Sequence, residues 1–285
     1  MRAMILVTGA TGTIGSELVR QLAARGEKVR ALLRDPAKAA GLPSGVEVAR
    51  GDYLDPGSLE AAAAGVEAAF LVGVPGPDTD HDRALVAAAR SARVGRLVKL
   101  SAIATGDPGL GTFGTWHLPG ERAVRESGAE WAVLRPSSFA SNTLSWADPI
   151  RAGEPVPNMS GDGAQGVIDP RDVAEAAARV LLDGRLAGRT YTLTGPETIS
   201  VPGQAAVLAE VLGRPVATRD LTPRQARERL LAWGLSEAQA EGVLAGNAFV
   251  RDGGNAVVTE DVPELLGRPA RTYRQWARER RAAFG

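Results

Sequence analysis

The chain of 285 residues contains no cysteine, which excludes disulfides, thiolate metal sites and a cysteine nucleophile. Its two histidines, His81 and His117, are too few for a histidine-rich metal centre, and no metal site is expected. Charge of neither sign prevails: 33 Lys plus Arg stand against 33 Asp plus Glu. No net positive field argues for nucleic acid, and no long basic run argues for a membrane surface. No apolar run approaches the roughly 20 residues of a membrane span, and the N-terminus reads as a core strand instead of a leader. With 44% hydrophobic residues the chain can bury a substantial core. The expectation is a cytoplasmic enzyme with a small-molecule partner, working as a monomer or homodimer.

The first segment, MRAMILVTGATGTIGSELVRQL, carries the strongest local signal. Met4, Ile5, Leu6 and Val7 form the continuous apolar run of a strand buried on both faces. From Ile14 the spacing turns helical, with Ile14, Leu18, Val19 and Leu22 on one side. Between strand and helix, Gly9, Gly12 and Gly15 permit a sharp turn, a close ligand approach and tight helix-on-strand packing. The helix N-terminus then offers unpaired N–H groups to an anion, for which a dinucleotide pyrophosphate is the fitting candidate. The spacing is G-x-x-G-x-x-G, so its context carries the assignment: a strand before, a helix after, and a second strand, KVRALLR, following Gly26.

Further strands are expected in GVEVARGDYLD, EAAFLVGVP, GRLVKLSA and AEWAVLRPS, separated by helical stretches at 37–40, 56–64, 80–92 and 121–127. This βα alternation defines an α/β fold, a doubly wound parallel Rossmann sheet whose ligands bind at the carboxyl ends of the strands. The same rule adds Val72, Gly73, Val74 and Pro136 to the cofactor-binding candidates. Residues 1–153 are expected to form the dinucleotide-binding core, with 166–185 packing back on it. A smaller interleaved α/β subdomain on the substrate side spans 154–285. There the pattern gives helices over 170–182, 202–212, 222–233, 236–245 and 272–283, a strand in RTYTLTG, and extended pieces in PVATRDL and FVRDGG.

Together VTGATGTIG, LLRDP, GDYLDPGSL, LRPSSFASN, DGAQGVIDPRDVAEAAARVL and the C-terminal YRQWARE resemble the NmrA-like atypical short-chain dehydrogenase/reductases. The resemblance spans nearly the whole chain and is strongest to the quinone-oxidoreductase and triphenylmethane-reductase branch, where a loop His precedes a Glu on the fifth crossover helix, here WHLPGER. It implies a nicotinamide cofactor carried by Gly9, Thr11, Gly12, Thr13 and Ile14, with Gly15 behind them. Arg34 ends the second strand and Lys38 follows one turn on, which favours NADP(H) over NAD(H), because a guanidinium binds a 2'-phosphate through two hydrogen bonds. Asp35 leaves a ribose-binding carboxylate open. Asp52 resembles the family residue that meets the adenine amino group, with Tyr53 beside it.

Ordinary short-chain dehydrogenases use Tyr-x-x-x-Lys, and none of Tyr53, Tyr191 and Tyr273 is followed by Lys four residues on. Carbonyl reduction by that route is not expected. A quinone, a conjugated enone or a cationic dye accepts hydride once the cofactor is positioned. The catalytic candidates are His117, whose ordinary pKa suits proton donation, and Ser101 at the end of the fifth strand. Each has a plainer reading, a helix-start His and a strand-end Ser. Trp116, Phe139, Trp146, Met159 and Phe249 are candidates for an aromatic wall around a flat aromatic or quinoid substrate, and Asn142 for a polar contact to it. Glu121 reads as a helix cap. The expected function is hydride transfer from NAD(P)H to a flat conjugated acceptor such as a quinone. Two alternatives stand beside it: a non-catalytic redox sensor of the NmrA type, and a tailoring enzyme of aromatic polyketides.

Overall fold

The computed structural model describes residues 3–73 and 80–285. In chain order its first half runs β1 (Met4–Val7), α1 (Thr13–Ala24), β2 (Lys28–Leu33), β3 (Glu47–Arg50), α2 (Pro56–Ala63), β4 (Ala68–Leu71), α3 (Asp80–Ser91), β5 (Arg96–Leu100), α4 (Leu118–Arg125) and β6 (Glu130–Pro136). It continues with α5 (Ala147–Ala152), β7 (Val156–Asn158), β8 (Ala164–Gln165), α6 (Pro170–Leu182), β9 (Arg189–Leu193), β10 (Ile199–Ser200), α7 (Val201–Leu212), β11 (Thr218–Asp220), α8 (Pro223–Ala232), α9 (Glu237–Arg251), α10 (Asp261–Leu266) and α11 (Tyr273–Glu279). Seven strands form one sheet in the order β3-β2-β1-β4-β5-β6-β9, and each pair from β3 to β6 is parallel.

The chain divides into two compact units. The first comprises 1–105, 116–135 and 170–192. In it β1 is buried as its apolar run requires, with Val7 fully inaccessible. On one face of the sheet α1 packs on α6; on the other, Leu59, Leu85, Val86 and Val124 of α2, α3 and α4 share a core with Leu6, Leu32 and Leu71. Helices on both faces are what a parallel sheet demands, and the doubly wound expectation is met. The second unit comprises 106–115, 136–169 and 193–285. Its core gathers Trp146, Val156, Leu208, Tyr273, Trp276 and Phe284, with the Tyr273 and Trp276 rings stacked 5.6 Å apart.

Several elements differ from the sequence reading. The fifth crossover helix begins at Leu118, not at 121, because Pro119 stands in its first turn, where a missing N–H costs nothing. FVRDGG is not extended: α9 runs on through Phe249 to Arg251. Gly246 does not stop it, since a Cβ there would come within 3.2 Å of the Phe113 ring; the glycine makes room for packing. The short α10 went unread, and its end is set by Gly267 in the left-handed conformation.

Gly15 fixes the entry of α1. A Cβ on it would lie 2.1 Å from the carbonyl oxygen of Gly9, so helix and turn touch through backbone alone. Gly15→Ala is therefore expected to cost about 1–3 kcal/mol of stability, as overpacking does. Chemical denaturation measures it, and a variant as stable as the parent would show that the turn can move aside.

Candidate active site

The turn after β1 is shaped by Gly9 at φ +60°, whose carbonyl accepts the Gly12 N–H at 2.9 Å. Gly12 is the N-cap of α1 and makes no side-chain capping bond, and no acidic residue occupies the first turn. By contrast α2, α7, α8, α9 and α11 close their first turns with Asp55, Ser200, Thr222, Ser236 and Thr272. The open first turn of α1 leaves N–H groups aimed at solvent, with Thr11, Gly12 and Thr13 exposed while Ile14 and Gly15 are buried beneath them. A Cβ on Gly12 would meet only the Gly9 oxygen, at 3.2 Å. Its outward side is free for a close anionic ligand, and a dinucleotide pyrophosphate fits this cradle.

At the end of β2, Arg34 and Lys38 are exposed. Asp35 Oδ1 accepts the Ala37 N–H at 3.0 Å and caps the short 3-10 turn that follows. Its carboxylate is engaged locally, whereas the two cations face outward. After β3, Asp52 is half-buried and Oδ1 accepts the Leu54 N–H. Tyr53 donates its hydroxyl to the Val72 carbonyl at 2.9 Å, and Thr8 Oγ1 accepts the Val72 N–H at 2.8 Å, so both brace the end of β4. Gly73 follows at once; Val74 lies outside the described residues.

At the end of β5 the catalytic candidate Ser101 belongs to a buried charged cluster that sequence reasoning missed. Lys99 and Ser101 alternate onto one face of the sheet and are both buried. Lys99 Nζ donates to Asp82 Oδ1 of α3 at 2.9 Å and to the Leu100 carbonyl at 3.0 Å. Ser101 donates its hydroxyl to Glu121 Oε1 at 2.6 Å. Glu121 is no mere helix cap: it is fully buried, and its two oxygens receive a two-pronged bond from Arg135 of β6, 2.8 Å each, and a further one from Arg125. Burial alone would raise the Glu121 pKa, but the bonds from Arg135, Ser101 and Arg125 outweigh it and hold the carboxyl below its ordinary value. A signal was present in the sequence: Lys99 and Arg135 are cations inside otherwise apolar strand segments, and a buried charge requires a partner.

His117, the N-cap of α4, lies beside this cluster. Burial first, then the charge of Lys99, press its pKa from 6.5 down to about 4. His117 is therefore harder to protonate than an ordinary imidazole. Nor is any tyrosine hydroxyl idle, since Tyr53 donates to Val72, Tyr191 to the Leu186 carbonyl and Tyr273 to Thr143.

Of the remaining candidates, Trp116 is half-buried next to His117 in the first unit, and Pro136, Phe139, Asn142, Trp146, Met159 and Phe249 belong to the second. Trp146 is packed in that unit's core. Pro136 is buried at the end of β6. Phe139 bridges to Ile168, Asn142 Nδ2 donates to Ser138, and the Met159 carbonyl accepts from Arg251. Phe249 is half-buried, its ring against Gly109 and Gly254.

The chain belongs to the NAD(P)H-binding family, whose model matches residues 9–184. It is 43% identical, over 99% of both chains, to the (4-alkanoyl-5-oxo-2,5-dihydrofuran-3-yl)methyl phosphate reductase of Streptomyces griseus. To the NAD(P)H azoreductase of Xenophilus azovorans it is 37% identical, again over 99% of both. The NADPH-dependent quinone oxidoreductase of Escherichia coli, solved in complex with NADPH, superposes with a TM-score of 0.85 at 27% identity, covering 97% of this chain and 99% of that one. The protein is thus an NAD(P)H-dependent reductase of the NmrA-like quinone and dye reductase branch. Among the described residues no helix is long and apolar enough to cross a membrane.

The cradle yields a direct test. Gly12→Val places a side chain where the pyrophosphate must approach, so the variant should fold and lose NADPH binding, as read by nicotinamide fluorescence. Binding retained in the folded variant would refute the assignment.

Proposed function

We propose that the protein reduces a flat conjugated acceptor such as a quinone, with NADPH as the preferred donor and without a strong protein acid. What supports this reading is His117 at the start of α4, where burial and the charge of Lys99 hold the imidazole below its usual pKa, in a chain whose three tyrosine hydroxyls are all engaged. Reduction of a simple ketone creates an alkoxide, a strong base that calls for a good acid close by. Reduction of a quinone or a conjugated enone leaves a delocalised phenolate or enolate, a far weaker base, for which a neutral N–H donor suffices. The nicotinamide supplies the hydride when bound. The chain's own residues hold its phosphates on the first turn of α1, with Arg34 and Lys38 for the 2'-phosphate, and His117 orients the acceptor oxygen and stabilises its developing charge. The 43% relative favours, as a second reading within the same class, a butenolide whose double bond is conjugated to carbonyls.

Because Asp35 is engaged in its own turn while Arg34 and Lys38 face outward, NADPH is expected to bind more tightly than NADH. Arg34→Ala should shrink the preference. Equal affinities in the parent protein, or a preference untouched by the mutation, would count against it.

His117→Ala should lower kcat with a quinone by about 10²-fold, the scale of one lost oxyanion donor. With a cationic dye, which gains no oxygen charge, the loss should be much smaller. Steady-state rates for the two acceptors decide: equal losses would mean that His117 only shapes the site.

A further inference from the structure

The reductase reading leaves one group of residues without a task. Asp82 and Lys99 form an ion pair that is almost wholly buried, the two side chains 7% and 0% exposed. Two glycines make the space for it. A Cβ on Gly73, directly after β4, would lie 2.2 Å from Asp82 Oδ1. A Cβ on Gly120, in the first turn of α4, would lie 2.0 Å from Asp82 Oδ2 and 2.5 Å from Lys99 Cε. The pair is therefore wedged between Gly73, beyond the end of β4, and Gly120 in the helix capped by His117. Stability does not account for it, since desolvating two charges costs several kcal/mol per ion and apolar residues of the same volume are often at least as stable.

We propose that Lys99 and Asp82 are positioning residues of the reductase site, holding Gly73 against the first turn of α4 and acting on the acceptor through His117. The charges facing His117 come from four elements: Lys99 of β5, Asp82 of α3, Glu121 of α4 and Arg135 of β6. Lys99 contributes the largest charge effect among them, and it opposes a proton on the ring. In the reduction the acceptor takes one hydrogen with two electrons from the reduced nicotinamide, which leaves oxidised. The negative charge settles on the acceptor oxygen, where the His117 N–H holds it until water supplies the proton. An imidazolium would instead add a second titration to the rate near pH 6.5. The pair keeps that titration out of the working range.

The inference rests on the reductase reading, so its first test does not use turnover. The ring signals of the two histidines are followed by NMR against pH in the full chain, and His117→Ala identifies which signal is which. In the parent His117 should titrate near pH 4. In Lys99→Met, where Asp82 stays behind alone, the midpoint should rise by about 1–3 units. The double variant Asp82→Asn/Lys99→Met, which buries no unpaired charge, should fold even where the single one does not, and should also move the midpoint upward, by less. An unchanged midpoint in the folded double variant, or an ordinary midpoint in the parent, overturns the proposal. The second measurement is kcat/KM with NADPH and menadione from about pH 4.5 to 8: flat in the parent above about pH 5.5, with the inflection moving up in step with the His117 midpoint in Lys99→Met. A pair that only supports the fold would lower stability and leave both midpoint and profile where they were. If neither quinone, enone nor dye is turned over, the reductase reading fails, while the titration still decides whether Lys99 governs His117.

Discussion

Glu121 has no exposed surface, and the carboxyl end of the sheet is organised around it. Its two oxygens accept from Ser101, which follows β5, from Arg135 of β6 and from Arg125 one turn further along α4. Two adjacent strands and a crossover helix are thereby tied to a single carboxylate. Removing one partner from a buried ion pair costs about 3–5 kcal/mol, because the other is left charged and unsolvated. That cost fixes the geometry: α4 can neither slide nor rotate without stranding Arg135, and His117 is held at the start of the helix.

The charge count next to His117 follows from the same arrangement. Two cations, Lys99 and Arg135, and two carboxylates, Asp82 and Glu121, act on the ring, and Lys99 has the largest effect among them. A positive charge on the half-buried ring is disfavoured first by its desolvation and then by the charge of Lys99. The site is a neutral hydrogen-bonding surface set on a charged foundation, which matches acceptors that delocalise the charge they receive. An acid strong enough for an isolated carbonyl would need the opposite environment.

Much of this was legible in the sequence, and the boundary between what was and was not is physical. The strand-turn-helix at Gly9 to Leu22 is local: sterics and periodicity within one segment determine it, and the sheet follows from its repetition. Cofactor candidates at the strand ends came from topology in the same way. The Glu121 cluster was not legible, because its members lie at 101, 121, 125 and 135 and meet only when three elements pack. Lys99 and Asp82 are further apart still in function than in number, a strand cation and a helix acid joined through the space that two glycines leave. The full length of α9 was missed for a related reason: Gly246 lies inside the helix facing the Phe113 ring, a neighbour that its own segment does not show.

The uncapped first turn of α1 has a thermodynamic consequence. Where α2, α7, α8, α9 and α11 satisfy first-turn N–H groups with their own Asp, Ser or Thr, α1 has no such cap, and a bound anionic cofactor would complete the pairing of its backbone. A ligand that binds only the folded chain adds RT ln(1 + [L]/Kd) to its stability, about 2.7 kcal/mol at a hundredfold excess over Kd. Folding equilibrium and nicotinamide supply are then coupled quantities: whatever depletes the dinucleotide pool also lowers the protein's resistance to unfolding, and with it the protein's lifetime against proteolysis.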